Sequence, residues 1–144
     1  MTLEEIQALW SKDAPIDRTE LATEATRIPQ IHAKYFKIFS TERLVLRKLE
    51  EEAKQLKKDL WDYYQGNFDY EELKERGWEQ INMRILKADI GHYIDADQNW
   101  IDNNLKVAYQ REKVEFLESI IKSLNNRGFN INAAIQWEKF KVGI

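Results

Sequence analysis

From Pro29 to about Gln65 the chain contains no glycine, and apolar residues recur through it at three-to-four spacing: Ile31, Tyr35, Ile38, Val45, Leu49, Ala53, Leu56 and Leu60. That spacing sets them along one side of an α-helix. A helix this long is not stable on propensity alone and needs a partner along its length. Glu42 and Glu52 interrupt the stripe, which favours a bundle or an oligomer over a strict coiled coil. With five glycines and two prolines in 144 residues, 43% of them hydrophobic and 33% charged, the expected fold is a single all-α domain of long, bundle-like helices.

The remaining elements follow from caps and breakers. Thr2 with Glu5 forms a capping box for a helix over about Leu3–Lys12, ended by Asp13-Ala14-Pro15. Asp17 with Glu20 reads as the next helix start, and Pro29 should kink or restart that helix. Gly66-Asn67 is a turn, Asp69 with Glu72 opens a short helix, and Gly77 closes it. Trp78 to Lys87 reads as helical, with Trp78, Ile81, Ile85 and Leu86 inside, while Ile90, His92 and Ile94 alternate as in a short extended piece. Asp95 or Asp97 should cap a long helix carrying Ile101, Leu105, Ala108, Val114, Leu117, Ile121 and Leu124 to about Asn125. Gly128 should end it, and Asn130 or Asn132 should cap a last helix holding Ala134, Trp137 and Phe140. The helices of about 1–66 form one half of this organisation and those of about 95–144 the other.

The net charge of −3 argues mildly against nucleic acid, but its distribution does not. Residues 27–58 carry nine Lys and Arg against four Glu, between two acidic flanks of −4 each. Arg43, Arg47, Lys54, Lys57 and Lys58 lie mostly off the apolar stripe, and aromatics are interleaved with the cations. Lys34 and Lys37 bracket Tyr35 and Phe36, and Lys57 and Lys58 precede Trp61, Tyr63 and Tyr64. Cations on phosphates with rings stacked on bases is how single strands are held without sequence preference. The competing reading is a solvated charged helix face whose rings are core or subunit contacts.

Other chemistries find no footing. There is no cysteine, and the two histidines, His32 and His92, have no nearby ligand partner, so no zinc site is expected. Asp95-Ala96-Asp97-Gln98-Asn99 starts like a calcium loop, but Trp100 stands where glycine is needed and Lys106 where the bidentate glutamate is needed. No phosphate loop, dinucleotide fingerprint or nucleophile elbow is present, so neither an enzyme nor a cofactor is expected. No apolar run reaches the length of a membrane span and the N-terminus has no basic leader, which reads as a cytosolic protein.

Leu56-Lys57-Lys58-Asp59-Leu60 followed by Asp62-Tyr63-Tyr64-Gln65-Gly66 resembles the UvsY recombination mediators of T4-like bacteriophages, which carry L-K-A-R-L leading into D-Y-Y-x-G. Leu3-Glu4-Glu5-Ile6-Gln7, Lys12-Asp13, Ile16-Asp17, Ala88-Asp89, Asp95 and Ile121-Lys122-Ser123 extend the resemblance in order. It implies a non-enzymatic protein of the infected host's cytoplasm that binds single-stranded DNA and assembles into ring-like homo-oligomers. It further implies that the protein helps a UvsX-type phage recombinase displace the phage single-stranded-DNA-binding protein. Anchored on Asp62-Tyr63-Tyr64, the family's lysine falls on Lys58 and its arginine on Leu60; anchored on Leu56, they fall on Lys57 and Asp59. In either register the arginine is missing.

The expected DNA contacts are therefore Lys58 and Lys57 first, then Lys54, Arg47, Lys34 and Lys37. The expected subunit contacts are Ile121, Leu124, Trp137 and Phe140, which are more apolar than a short terminal helix needs. The alternative is a helical scaffold that assembles and binds protein but not DNA.

Overall fold

A computed structural model describes all residues from Met1 to Ile144. It is all-α, with α1 (Leu3–Asp13), α2 (Leu21–Tyr64), α3 (Tyr70–Arg76), α4 (Ile90–Ala96) and α5 (Gln98–Lys141), plus one 3-10 turn at Lys87–Asp89. The chain divides into two compact units, Met1–Val45 with Gln110–Ile144, and Leu46–Tyr109.

In the first unit, Ile6 of α1, Ile31 and Tyr35 of α2, and Leu117, Ile120 and Leu124 of α5 form one buried cluster. The α1 start is the expected capping box: the Thr2 hydroxyl accepts from the Glu5 amide at 3.1 Å and the Glu5 carboxylate accepts from the Thr2 amide. Here α2 and α5 run antiparallel, because Glu42 meets Gln110 while Glu24 meets Arg127. The Gln110 amide donates to both the carbonyl and the carboxylate of Glu42, and Lys113 reaches the same carboxylate at 3.3 Å. The Arg127 guanidinium donates to the carbonyls of Ala14 and Pro15 and to the Glu24 carboxylate. These two buried polar clusters lie 18 residues apart on α2 and 17 on α5, and together they fix the helix register.

In the second unit, Leu60, Ile90 and Ile94 are buried, with Trp61, Tyr63, Tyr64, Trp78 and Trp100 packed around them. Gly66 (φ +78) and Gly77 (φ +70) adopt the left-handed conformation that stops α2 and α3. Asp69 caps α3 by accepting from the Glu72 amide at 2.8 Å. Asp97 accepts from the Asn99 amide at the start of α5.

The structure departs from the sequence expectations in several places. Asp17 accepts from the amide and hydroxyl of Thr19 in a turn, and the helix begins only at Leu21. Pro29 lies inside α2 without restarting it; its missing amide proton forfeits one backbone bond, which the buried Glu24, Ile31 and Tyr35 on either side outweigh. Gly128 does not end α5, and neither Asn130 nor Asn132 opens a new helix. Burial of Leu124, Arg127 and Ile131 carries the helix through the glycine. Residues 78–86 are irregular rather than helical, and Leu86 is exposed. Residues 90–96 are helical rather than extended, with Ile90 and Ile94 one turn apart on the buried side. The stripe expected on α5 is also shifted, for Leu105 is exposed and Val107, Gln110 and Lys113 are buried instead.

Candidate nucleic-acid interface

The second unit is acidic as a whole, with ten Lys and Arg against fourteen Asp and Glu. Five of its ten cations nevertheless lie on a twelve-residue stretch of α2, at Arg47, Lys48, Lys54, Lys57 and Lys58. At about 100° per residue, Arg47, Lys54 and Lys58 fall within about 40° of one another and Lys57 about 80° to one side. Leu49, Leu56 and Leu60 take the opposite side of the helix and face the core. The arc is about 17 Å long at 1.5 Å per residue.

The side chains in this arc differ in their partners. Lys54 is paired with Glu51 at 3.1 Å and Lys58 with Asp62 at 3.6 Å. Both lysines are exposed, though Asp62 is half-buried, and such pairs belong to the class that contributes little and exchanges readily with solvent or another anion. Arg47 is exposed with no carboxylate within ion-pair distance. Lys57 carries its ammonium 5.9 Å from the centre of the Trp100 ring. Of the two positions on which the family arginine falls, Leu60 is fully buried and Asp59 is half-buried and bound to Arg76 at 2.9 Å. Neither is placed to meet a phosphate, so within this arc Arg47 is the arginine available to do so.

Of the interleaved rings only Phe36 is exposed, at 44%, stacked on His32; the others are engaged within the protein. Tyr35 is fully buried, donates to Asp13 at 2.7 Å and meets Trp10 edge-on. Tyr63 donates to the Glu79 carbonyl and Tyr64 to the Asp97 carboxylate at 2.6 Å. Burial first, and the Asp97 carboxylate second, push the Tyr64 phenol well above its ordinary pKa; burial and Asp13 do the same to Tyr35. Trp61 packs against the Leu60 cluster. The expectation of two cation-and-ring patches is therefore corrected in part: Tyr35 is buried and Trp61, Tyr63 and Tyr64 are half-buried among their own partners, while Phe36 stays at the surface between Lys34 and Lys37.

Lys34 is bound to Asp13 at 2.7 Å. Burial of Asp13 opposes its ionisation, but hydrogen bonds from Lys34 and Tyr35 outweigh it and hold the carboxyl below its ordinary value. Lys37 is exposed beside it with no ion pair.

Among the expected subunit contacts, Leu124 is 1% exposed and Ile121 partly buried, both in the first unit's own core. Leu124 thus has no surface left for another chain. Trp137 and Phe140 are 51% and 72% exposed and stacked on each other at 5.5 Å, one turn apart near the end of α5.

The sequence reading did not single out Gln110, Lys113 or Arg127. The signal was available, because each is a polar residue in phase with buried neighbours, as Glu42 is on α2. His32 stacks on Phe36, His92 is exposed, and no three His, Asp or Glu side chains converge as a metal site would require. No helix is long and apolar enough to cross a membrane.

Comparison with known proteins agrees with this architecture. No curated protein sequence matches the chain. Crystal structures of the bacteriophage T4 recombination mediator protein UvsY in two lattices each superpose with a TM-score of 0.84 at 24% identity, one covering 97% of this chain and 99% of that one, the other 99% and 98%. A third lattice gives a TM-score of 0.82 at 23% identity, over 95% and 98% of the two chains. These likenesses show the shared fold. A family model described as recombination, repair and ssDNA binding protein UvsY matches residues 9–144. The chain belongs to the UvsY family of recombination, repair and single-stranded-DNA-binding proteins.

Proposed function

We propose that this protein is a recombination mediator that binds single-stranded DNA through the α2 arc of Arg47, Lys54, Lys57 and Lys58. It acts as a homo-oligomer, with the Trp137–Phe140 stack at the subunit contact. It helps a UvsX-type recombinase take the strand from the single-stranded-DNA-binding protein, in the host cytoplasm and with no chemical step of its own. The observation that carries this reading is the concentration of exposed cations on one side of α2 in a unit that is otherwise acidic. Affinity on the arc then comes mainly from phosphates, so binding should be nearly independent of sequence and strongly dependent on salt.

The test is single-stranded DNA binding across a salt series, with oligomer mass measured alongside. Lys57→Ala/Lys58→Ala should make the salt dependence shallower by about 0.7 in log–log slope for each phosphate that is no longer neutralised, and Arg47→Ala should act in the same direction. Alanine is the best helix former, so mass and thermal stability should stay near the parent's. An unchanged slope with a smaller assembly would make these lysines structural and move the DNA site elsewhere, with Lys34 and Lys37 next in line.

A further inference from the structure

The irregular segment between α3 and the 3-10 turn has a property that no other part of the second unit shares. Trp78 donates its amide to Leu73, the Glu79 carbonyl accepts from Tyr63, and the Leu86 carbonyl accepts from Asp89. Between them, residues 80–85 make no hydrogen bond within the protein. Their amides and carbonyls are left to solvent, as on the edge strand of a sheet. The same segment lines an open groove of about 460 Å³ together with Tyr64 to Asn67. Ile81 and Ile85 are half-buried in its lining, Met83 and Leu86 are 58% and 66% exposed, and Arg84 and Lys87 are the charged side chains of the lining, which contains no carboxylate.

We propose that this groove is a docking site for an extended, acidic polypeptide segment bearing aliphatic side chains, contributed by a partner protein. Three features select that occupant. The free backbone groups of residues 80–85 can pair with an added extended chain, the mode in which main-chain bonds give affinity and pockets for alternate side chains give specificity. The exposed Met83 and Leu86 call for apolar side chains. Arg84 and Lys87, with no opposing carboxylate, call for negative charge. A nucleic-acid strand fits less well, because only two cations line the groove and the exposed Met83 and Leu86 beside them offer a phosphate backbone no partner. This site is separate from the α2 arc and does not rest on the DNA reading.

The probe is a fluorescein-labelled eight-residue peptide of alternating Leu and Glu, titrated with the full chain and followed by anisotropy. Hydrogen exchange is read at residues 80–85 with and without the unlabelled peptide. The peptide should bind saturably and slow exchange at those amides. Arg84→Glu/Lys87→Glu, both at exposed positions, should weaken it at least tenfold, whereas Lys57→Ala/Lys58→Ala should leave it unchanged. N-methylation of alternate peptide amides should abolish binding with the protein untouched. No saturable binding, indifference to the charge reversal, or unchanged exchange at residues 80–85 would overturn the proposal. Displacement of the peptide by oligo-dT with protection of the same amides would make the groove a nucleic-acid site, and a smaller assembly in the charge-reversed variant would make it a subunit interface. Either result also overturns it.

Discussion

Two sets of helix breakers in this protein behave in opposite ways. In the second unit, Gly66 and Gly77 stop helices, adopting positive φ, as Gly143 does at the end of α5. In the first unit, Gly128 and Pro29 sit inside helices of 44 residues and stop nothing, as Gly91 does inside α4. A helix-interior glycine costs about 1 kcal/mol and a proline about 3. A single fully buried Leu or Ile returns about 1.5–3. Around Gly128 the first unit buries Leu124 and Ile131, and it buries Ile31 and Tyr35 just past Pro29. Between Gly66 and Ile90 no side chain of the second unit is fully buried, so local chemistry decides at Gly66 and Gly77. A breaker is therefore decisive only where tertiary burial on both sides of it is small.

The sharpest way to break this contrast is to unpin the first unit. Glu24→Ala leaves the Arg127 guanidinium buried without its carboxylate, and urea unfolding should show a loss of about 3–5 kcal/mol. Glu24→Leu/Arg127→Met should recover much of it. Recovery should be incomplete, because the Ala14 and Pro15 carbonyls lose their donor.

Next come the two tyrosines bound to carboxylates, one in each unit. Tyr35→Phe and Tyr64→Phe should each lower stability by about 1.5–3 kcal/mol in the same assay. Both phenols have raised folded-state pKa values, so their contribution is complete below about pH 10 and fades as pH rises through the folded value. Asp13 has the opposite sign. Its lowered pKa contributes stability above its ordinary value of 3.8, and that contribution is lost as pH falls through the folded value. Lys34→Ala should flatten this acid limb in denaturation curves taken across the acidic range.

The smallest effects test the contrast most directly. Gly77→Ala should destabilise by about 1–2 kcal/mol, because a Cβ is disfavoured at positive φ. Gly128→Ala should stabilise by about 0.5–1 kcal/mol, because the residue is helical and a Cβ there meets nothing within 4 Å. Melting temperatures that shift the same way for both would show that Gly128 is not held as an ordinary helical residue.

Caps were legible in the sequence because their partners are three residues away: Thr2 with Glu5, and Asp69 with Glu72. Residues 78–86 misled for the same local reason. Trp78, Ile81 and Ile85 stand at helical spacing, yet Trp78 is taken up by Phe68, stacked at 5.8 Å, and by the Arg76 guanidinium at 5.2 Å. Ile90 and Ile94 are four apart, which fits a period of 2 as well as 3.6, so alternation could not separate strand from helix there. The α2 cations could be read as surface residues because they lie off the stripe of their own helix. The fate of the rings beside them could not, since Tyr35 is taken up by α1 and the rings at the end of α2 by residues 78–97.

The length of α2 carries a consequence for which changes such a chain can accumulate. Inserting or deleting one residue in a helix turns everything beyond it by about 100°. Placed between Leu49 and Lys58, it would swing Leu60 out of the second unit's core and carry Lys58 away from Arg47. A seven-residue insertion nearly restores the phase, but it shifts the core residues by about 10 Å along the axis. Variation in chain length is thereby confined to the non-helical connections at residues 14–20, 65–69 and 78–86, and the reading frame of each long helix becomes as much a part of the fold as its apolar residues.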